Sequence, residues 1–122
     1  MKSIFLVLTG GAIGSVSRYG FGIIAGHLLN PAFPWPTFII NFTGCTLAGF
    51  CYGKIMLHEM NSDFLLFLIT GFLGGFTTFS GLATEIFYLF RERQNGLAFL
   101  YLFASNLCLL AFFAGYKVYL LI

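Results

Sequence analysis

The chain has 122 residues, of which 59% are hydrophobic and only 8% are charged. Soluble domains carry about 25% charged residues, and disordered chains combine low hydrophobicity with high charge. The composition therefore excludes both classes and predicts a small integral membrane protein. The net charge of +2 comes from six scattered bases without a basic cluster, so nucleic acid is not expected as a partner.

Four apolar segments follow one another along the chain, and each has at least the roughly 20 residues that a membrane-spanning helix needs. The connections are too short for a soluble domain. The first contains all three prolines and the only tryptophan, and the other two are polar. We therefore expect an all-α membrane protein with a single transmembrane domain, residues 1–122, and four spans at about 3–29, 37–57, 64–90 and 97–122.

The positive charges are almost evenly divided between the two sides of such a four-span protein. Lys2, Lys54 and Lys117 fall on one side, and Arg91 and Arg93 fall on the other. Because an asymmetry of Lys and Arg sets the orientation, this chain is predicted to insert both ways round and to pair as an antiparallel dimer. The alternative is one orientation that is fixed by other factors.

Glycine pairs at four-residue spacing, such as Gly10 with Gly14 and Gly22 with Gly26, predict close helix packing. The three cysteines lie in apolar runs, without the spacing of a disulfide framework or a zinc site, and are interpreted as packing residues. The sequence offers no Ser/His/Asp set, metal-ligand cluster or pair of spaced carboxylates, so an enzyme is not expected.

Polar residues within the first two segments are candidates for function because polar groups in hydrocarbon are costly. Arg18 lies about halfway along the first segment. It either snorkels or forms an internal ion pair, or it attracts anions to an entrance. In the second segment, Asn41 lies among apolar residues together with Thr43 and Thr46. Its amide either donates to an anion or bridges two helices.

The glycine-rich run 71–81, with hydroxyls at Thr77, Thr78 and Ser80, lies near the middle of the third segment. Glycine weakens a helix interior, so the run predicts a helix that is broken within the membrane. Carbonyl groups freed by such a break bind cations, and the N-terminus of the following half-helix favours anions. The alternative is a kinked packing helix.

Further polar residues follow the glycine-rich run. Glu85 either pairs with Arg18 or with a base near the membrane face, or it has a functional role. Tyr101 and Ser105 are four residues apart and share a helix face. They either extend a polar track along a pore wall or cross-link helices.

Taken together, three parts of the sequence resemble the CrcB/Fluc family of fluoride channels. These are the run 74–80 (GGFTTFS), Asn41 within 40–44 (INFTG), and the run 10–14 (GGAIG) followed by Arg18. The resemblance covers essentially the whole chain. It implies a dual-topology dimer in the plasma membrane of a prokaryote, with two pores that export fluoride passively from the cytoplasm and so lower its toxicity.

The resemblance also assigns roles to individual residues. It implies a structural sodium ion at the dimer centre, bound by the main-chain carbonyls of Gly74 and Thr77 from both subunits. It makes Asn41 a pore-lining residue, Phe79 the first of two pore phenylalanines, and Ser80 the start of a polar track.

Arg18 matches the family's vestibule arginine, and Glu85 matches its acidic residue after the motif. Fluoride is small and strongly hydrated, so a pathway needs close donors. The amide of Asn41 and the hydroxyls of Thr43, Ser80 and Ser105 are the candidates. The expected partners are fluoride, membrane lipid, and a second chain.

The sequence departs from the family pattern directly after the motif. Where the family usually continues TTFSTF, this chain has Gly81 and Leu82, so the second phenylalanine and a track hydroxyl are missing. The second chain is therefore either another copy or a paralogous partner. Two other functions remain open. A proton-coupled multidrug-type antiporter would use Glu85 as its deep carboxylate, and a structural subunit would conduct nothing itself.

Overall fold

The structure is a computed structural model, and it describes residues 1–57 and 61–121. His58 to Met60, in the predicted second connection, and Ile122, at the predicted end of the fourth segment, lie outside the described residues. The described part is all-helical and contains no strand. In chain order its elements are α1 (Lys2–Leu28), α2 (Trp35–Met56), α3 (Ser62–Leu65), a π-helix (Leu66–Leu73), α4 (Gly74–Phe76), α5 (Phe79–Arg91), α6 (Asn95–Ser105) and α7 (Leu107–Leu120).

Three helical segments of the described chain are long and apolar enough to cross a membrane, namely Lys2–Leu28, Ser62–Arg91 and Asn95–Leu120. The helix α2 is long enough, with 22 residues, but it is not among these three. Polar residues and glycine lie between its apolar side chains. Each of the four helical segments begins within two residues of the start that the sequence predicted. The helices therefore start close to the expected positions, and a membrane crossing by α2 stays a prediction.

Glycines allow α1 to lie directly against the backbone of the third segment. A Cβ added to Gly10 would stand 2.3 Å from the carbonyl oxygen of Phe67, and one added to Gly14 would stand 2.1 Å from that of Phe72. These distances are far inside van der Waals contact. The predicted packing role of this glycine pair is confirmed, whereas around Gly22 and Gly26 no atom lies within 4 Å of an added Cβ.

A second glycine contact joins α2 to α7. A Cβ added to Gly49 would stand 1.9 Å from the carbonyl oxygen of Phe112, and one added to Gly115 would stand 2.0 Å from that of Thr46. Two glycines, one on each helix, therefore face the backbone of the opposite helix. This arrangement fixes where α2, which carries Asn41, stands relative to the last segment.

The third segment is interrupted, as the sequence predicted. Thr77 and Thr78 both have extended backbone, with φ and ψ of −77° and 155° for the first and −148° and 114° for the second. A π-helix of eight residues leads into this break. π-helices are rare and often occur at functional sites.

The fourth segment contains a tighter turn at Asn106 that the sequence did not predict, although the backbone there stays helical, with φ −69° and ψ −17°. Asn106 separates α6 from α7, and its side-chain Nδ2 donates to the carbonyl oxygen of Leu102 at 2.8 Å. The amide thus partly satisfies a carbonyl in the disturbed turn. No glycine or proline stands at this position, so the sequence did not predict a change in the helix there.

Candidate functional site at a helix break

The break between α4 and α5 is held by one side chain from a neighbouring helix. Asn41 of α2 donates from Nδ2 to the carbonyl oxygen of Thr78 at 3.0 Å, and its Oδ1 accepts from the Thr78 N–H at 2.8 Å. A single amide therefore satisfies both main-chain groups of an extended residue. Of the two roles considered for Asn41, it bridges α2 to the break, while donation to an anion stays a prediction for its second amide proton.

The start of α5 is capped within the same cluster. The Oγ1 of Thr78 accepts from the N–H of Gly81 at 3.0 Å and lies 3.2 Å from the Oγ of Ser80. This is an N-cap, which satisfies one of the free N–H groups at the start of a helix. A Cβ at Gly81 would stand 2.9 Å from Cγ2 of Thr78, so the glycine leaves room for the capping residue.

Arg18 reaches the other side of the break from α1. Its Nε donates to the carbonyl oxygen of Gly75 at 3.0 Å. The expected alternative of an ion pair with Glu85 is not observed, since the ion pairs of the described residues join Lys2 to Asp63 and Arg91 to Glu92. Among the described residues, Arg18 forms no ion pair, and a carbonyl group at the break serves as its acceptor instead.

Two carbonyl groups at the break lack a described hydrogen-bond partner. In a continuous helix, the Gly74 oxygen would accept from the N–H of Thr78, and the Thr77 oxygen would accept from that of Gly81. Both N–H groups are instead taken by side chains, those of Asn41 and Thr78 respectively. The break therefore frees the two oxygens that the resemblance assigned to a cation. Among the described residues, no group of three His, Cys, Asp or Glu side chains offers another metal site.

Glu85 is enclosed by two hydroxyl donors from other helices. The Oγ1 of Thr37 donates to its Oε1, and the phenol of Tyr101 donates to its Oε2, both at 2.7 Å. Tyr101 has no exposed surface. The sequence had marked Glu85 and Tyr101 separately. It did not mark Thr37, because only the packing of α2 against α5 and α6 brings this residue to the carboxyl group.

A groove of about 350 Å³ runs beside the break, between α2 and the last segment. Five polar residues contribute to its wall, namely Asn41, Thr77, Thr78, Ser105 and Asn106. Among the described residues that line it, none carries a charge. The groove therefore extends from Asn41, which holds the break, to Ser105 and Asn106 of the fourth segment.

The apolar wall of the groove includes Phe79, Leu82, Cys45 and Cys108. Phe79 is the first residue of α5, and 82% of its surface is exposed. The ring therefore projects from the chain next to the break, where its positive edge is free to meet an anion or another protein surface. Leu82 is buried, with 8% exposed.

Not every predicted site residue lies on this groove. Asn41, Phe79, Ser105 and Thr77 line it, whereas the other four, Arg18, Thr43, Gly74 and Ser80, do not. Three of those four lie next to the break: Gly74 is in α4 and Ser80 is in α5 on either side of it, and Arg18 reaches Gly75 from α1. Thr43 is exposed on α2, and its hydroxyl donates to the carbonyl oxygen of Ile39 in its own helix at 2.7 Å. The structure thus brings the predicted residues together around the break, with Thr43 apart from them.

Known proteins of one family resemble this chain along nearly its whole length. The family described as "CrcB-like protein, Camphor Resistance (CrcB)" matches residues 5–116. A protein of Rhizobium etli named "Fluoride-specific ion channel FluC" is 41% identical over 121 residues, which cover 97% of this chain and 96% of the relative. Proteins with the same name from Flavobacterium psychrophilum and Thermus thermophilus are each 40% identical, over 86% and 97% of this chain and over 86% and 95% of their own lengths. The chain belongs to the CrcB family.

Proposed function

We infer that this chain is a subunit of a fluoride-selective ion channel that exports fluoride passively from a prokaryotic cytoplasm across the plasma membrane, and so lowers fluoride toxicity. The carrying observation is the break at Thr77 and Thr78, held by Asn41 beside an uncharged polar groove. The names and near-complete coverage of the relatives support the same function.

The architecture that we propose has four spans, with α2 as the second, and two chains in antiparallel orientation. The near-equal division of Lys and Arg supports dual insertion. A single chain also leaves the break incompletely covered, because Gly74 is exposed and Phe79 projects from the surface. Freed backbone groups within a bilayer need burial in protein or contact with water, and a second chain would provide the burial.

A structural sodium ion at the centre of the dimer is part of this proposal. The carbonyl oxygens of Gly74 and Thr77 fit a hard cation, because such ions prefer oxygen ligands. Two oxygens are too few, since hard cations such as calcium and magnesium take on the order of six. The same oxygens from a second chain would bring the set to four, closer to that number, so the ion would stabilise the dimer only when both chains are present.

The chemistry of the groove suits fluoride. A small, strongly hydrated anion needs close donors to replace its water, yet it must leave again for conduction to occur. A wall of neutral dipoles meets both needs better than a fixed charge would. Arg18 is bound to Gly75 at the break, so its charge acts near the groove and not on its wall.

Whether the partner is another copy or a paralogous chain depends on Leu82. Leucine lacks the aromatic ring that the family pattern has at this position, and it is buried in the groove wall. We propose the homodimer as the conducting form, because Asn41, Phe79 and the polar end of the groove are all present in this chain. A heteromeric pair is the alternative.

The experiment is fluoride efflux from liposomes that contain the purified chain alone, measured with a fluoride electrode, with chloride as the control. Fast fluoride-selective efflux that requires no pH gradient is expected. Efflux that follows a proton gradient and is lost in Glu85→Gln would point to an antiporter. Folded dimers that release no fluoride would refute the homodimeric channel. They would leave the heteromeric pair and the structural subunit, which co-reconstitution with a paralogous chain separates.

A further inference from the structure

Two of the hydroxyl groups on the groove wall, those of Ser105 and Thr77, already donate their protons to the backbone. A hydroxyl carries one donor proton. That of Ser105 is donated to the carbonyl oxygen of Tyr101 at 2.7 Å, and that of Thr77 to the carbonyl oxygen of Leu73 at 2.9 Å. Both side chains therefore present lone pairs to the groove, which would repel an anion. The donor that the sequence favoured at Ser105 is therefore already used.

Two side-chain amides on the groove wall, those of Asn41 and Asn106, have more donor protons than they use. Each Asn side chain has two N–H donors. Asn41 uses one on the carbonyl oxygen of Thr78, and Asn106 uses one on that of Leu102. Each therefore keeps one N–H, and the two amides belong to different elements that both line the groove.

The position of Asn106 also requires an explanation. It is the twelfth residue of the 26-residue segment Asn95–Leu120, close to the middle of a helix that is apolar enough to span a membrane. Its side chain is exposed on the single chain. An amide at that depth is costly against lipid, so it is expected to face protein or a water-filled path.

We propose that Asn106 and Asn41 together form an anion subsite, in which the unused N–H of each amide donates to a partly dehydrated fluoride ion in the groove. Asn106 is thereby a specificity-determining residue of the pathway. This inference rests on the proposed channel function. Hydrogen-bond donors favour the smaller, harder anion, so the pair selects fluoride over chloride without a positive charge that would trap the ion.

The competing explanation is that Asn106 only stabilises the tighter turn between α6 and α7 through its bond to the Leu102 oxygen. Asn106→Ser separates the two roles, because a serine hydroxyl can keep the bond to the Leu102 oxygen, as Ser105 does to Tyr101, while offering no second donor. Asn106→Leu removes both. Asn30→Ser is the matched control, since Asn30 lies in the exposed connection before α2 and its side chain only accepts from the N–H of Ala32.

The measurement is efflux of fluoride and of chloride from liposomes, with dimer elution in detergent as the check on folding. For Asn106→Ser we expect a folded dimer whose ratio of fluoride to chloride efflux is roughly tenfold lower, as the loss of one donor to an anion implies. Asn30→Ser is expected to match the wild type.

A conducting wild type in which Asn106→Ser keeps both the fluoride rate and the selectivity would overturn the amide pair while leaving the channel function intact. An unchanged ratio with unstable dimers in both Asn106 variants would also overturn it and assign a structural role. A wild type that releases no fluoride, with or without a paralogous partner, would refute the channel function and the subsite with it.

Discussion

Replacing Asn41 by alanine is the sharpest test of how the break is held. The substitution leaves the N–H and the carbonyl oxygen of Thr78 without their partner, and both were satisfied by the one amide. Each buried unsatisfied group costs about 1–3 kcal/mol. Because Thr78 is only partly buried and lines the groove, water replaces some of the loss. We therefore expect Asn41→Ala to lower the free energy of unfolding by about 2–4 kcal/mol.

Two further variants separate this effect from a general sensitivity of α2. Asn41→Asp keeps an acceptor for the Thr78 N–H but places a second carboxylate oxygen against the Thr78 carbonyl. It should destabilise at least as much as alanine, and its charge should slow anion flux. Thr46→Ala is the matched control, since this hydroxyl bonds only to Phe42 of its own helix, and its loss should cost under about 0.5 kcal/mol.

The assay is thermal unfolding of the purified protein in detergent, paired with fluoride efflux from liposomes. The expected order of stability is wild type and Thr46→Ala together, with both Asn41 variants well below them. An Asn41→Ala protein as stable as the wild type would show that the break is maintained by something else. The account of the groove built on it would then fail.

Other predictions follow from the packing and from the enclosed carboxyl group. Gly49→Ala should be strongly destabilising, by more than the roughly 1–3 kcal/mol typical of overpacking, because the new Cβ would stand 1.9 Å from a backbone oxygen. Gly96→Ala should be neutral in the same unfolding assay, because nothing in the described structure lies within 4 Å of its Cβ position. Tyr101→Phe should cost about 1–3 kcal/mol, because it removes one donor from Glu85 and leaves the fold otherwise unchanged; a thermal midpoint equal to that of the wild type would contradict this. Leu82→Phe should be accommodated, because the side chain borders the groove; an increased fluoride efflux would identify the missing ring as a limit on conduction, and an unchanged efflux would show that it is not.

The break shows both what sequence patterns predict and where they stop. Gly74 and Gly75 indicated an interruption, and one is present, but the extended residues are Thr77 and Thr78. At least one of these glycines, Gly75, is needed for helix packing. A Cβ on Gly75 would stand 2.5 Å from the carbonyl oxygen of Gly11, so this glycine admits α1. Asn41, from a distant part of the chain, then supplies the partner that makes an extended residue stable.

The sequence did not predict which groups the polar residues within the apolar segments would contact. A base was one of the partners considered for Glu85, and its carboxyl group instead accepts from two hydroxyls. Which residue it meets depends on the rotation of α2, α5 and α6 about their axes, and that rotation is set by contacts such as the one at Gly49. A periodic pattern shows that a residue lies within a helix, but it does not show which neighbour faces it.

The proposed pathway avoids fixed charge on its wall. Two ionisable side chains of the helical segments are both engaged with protein groups, Arg18 with the Gly75 carbonyl and Glu85 with hydroxyls. Among the described lining residues, the groove is therefore left with neutral dipoles only. A small anion in it would be stabilised by donors that are directional and limited in number, here the unused N–H groups of Asn41 and Asn106. Such a site discriminates by hydrogen bonding rather than by charge, so it combines selectivity with release, and conduction requires both.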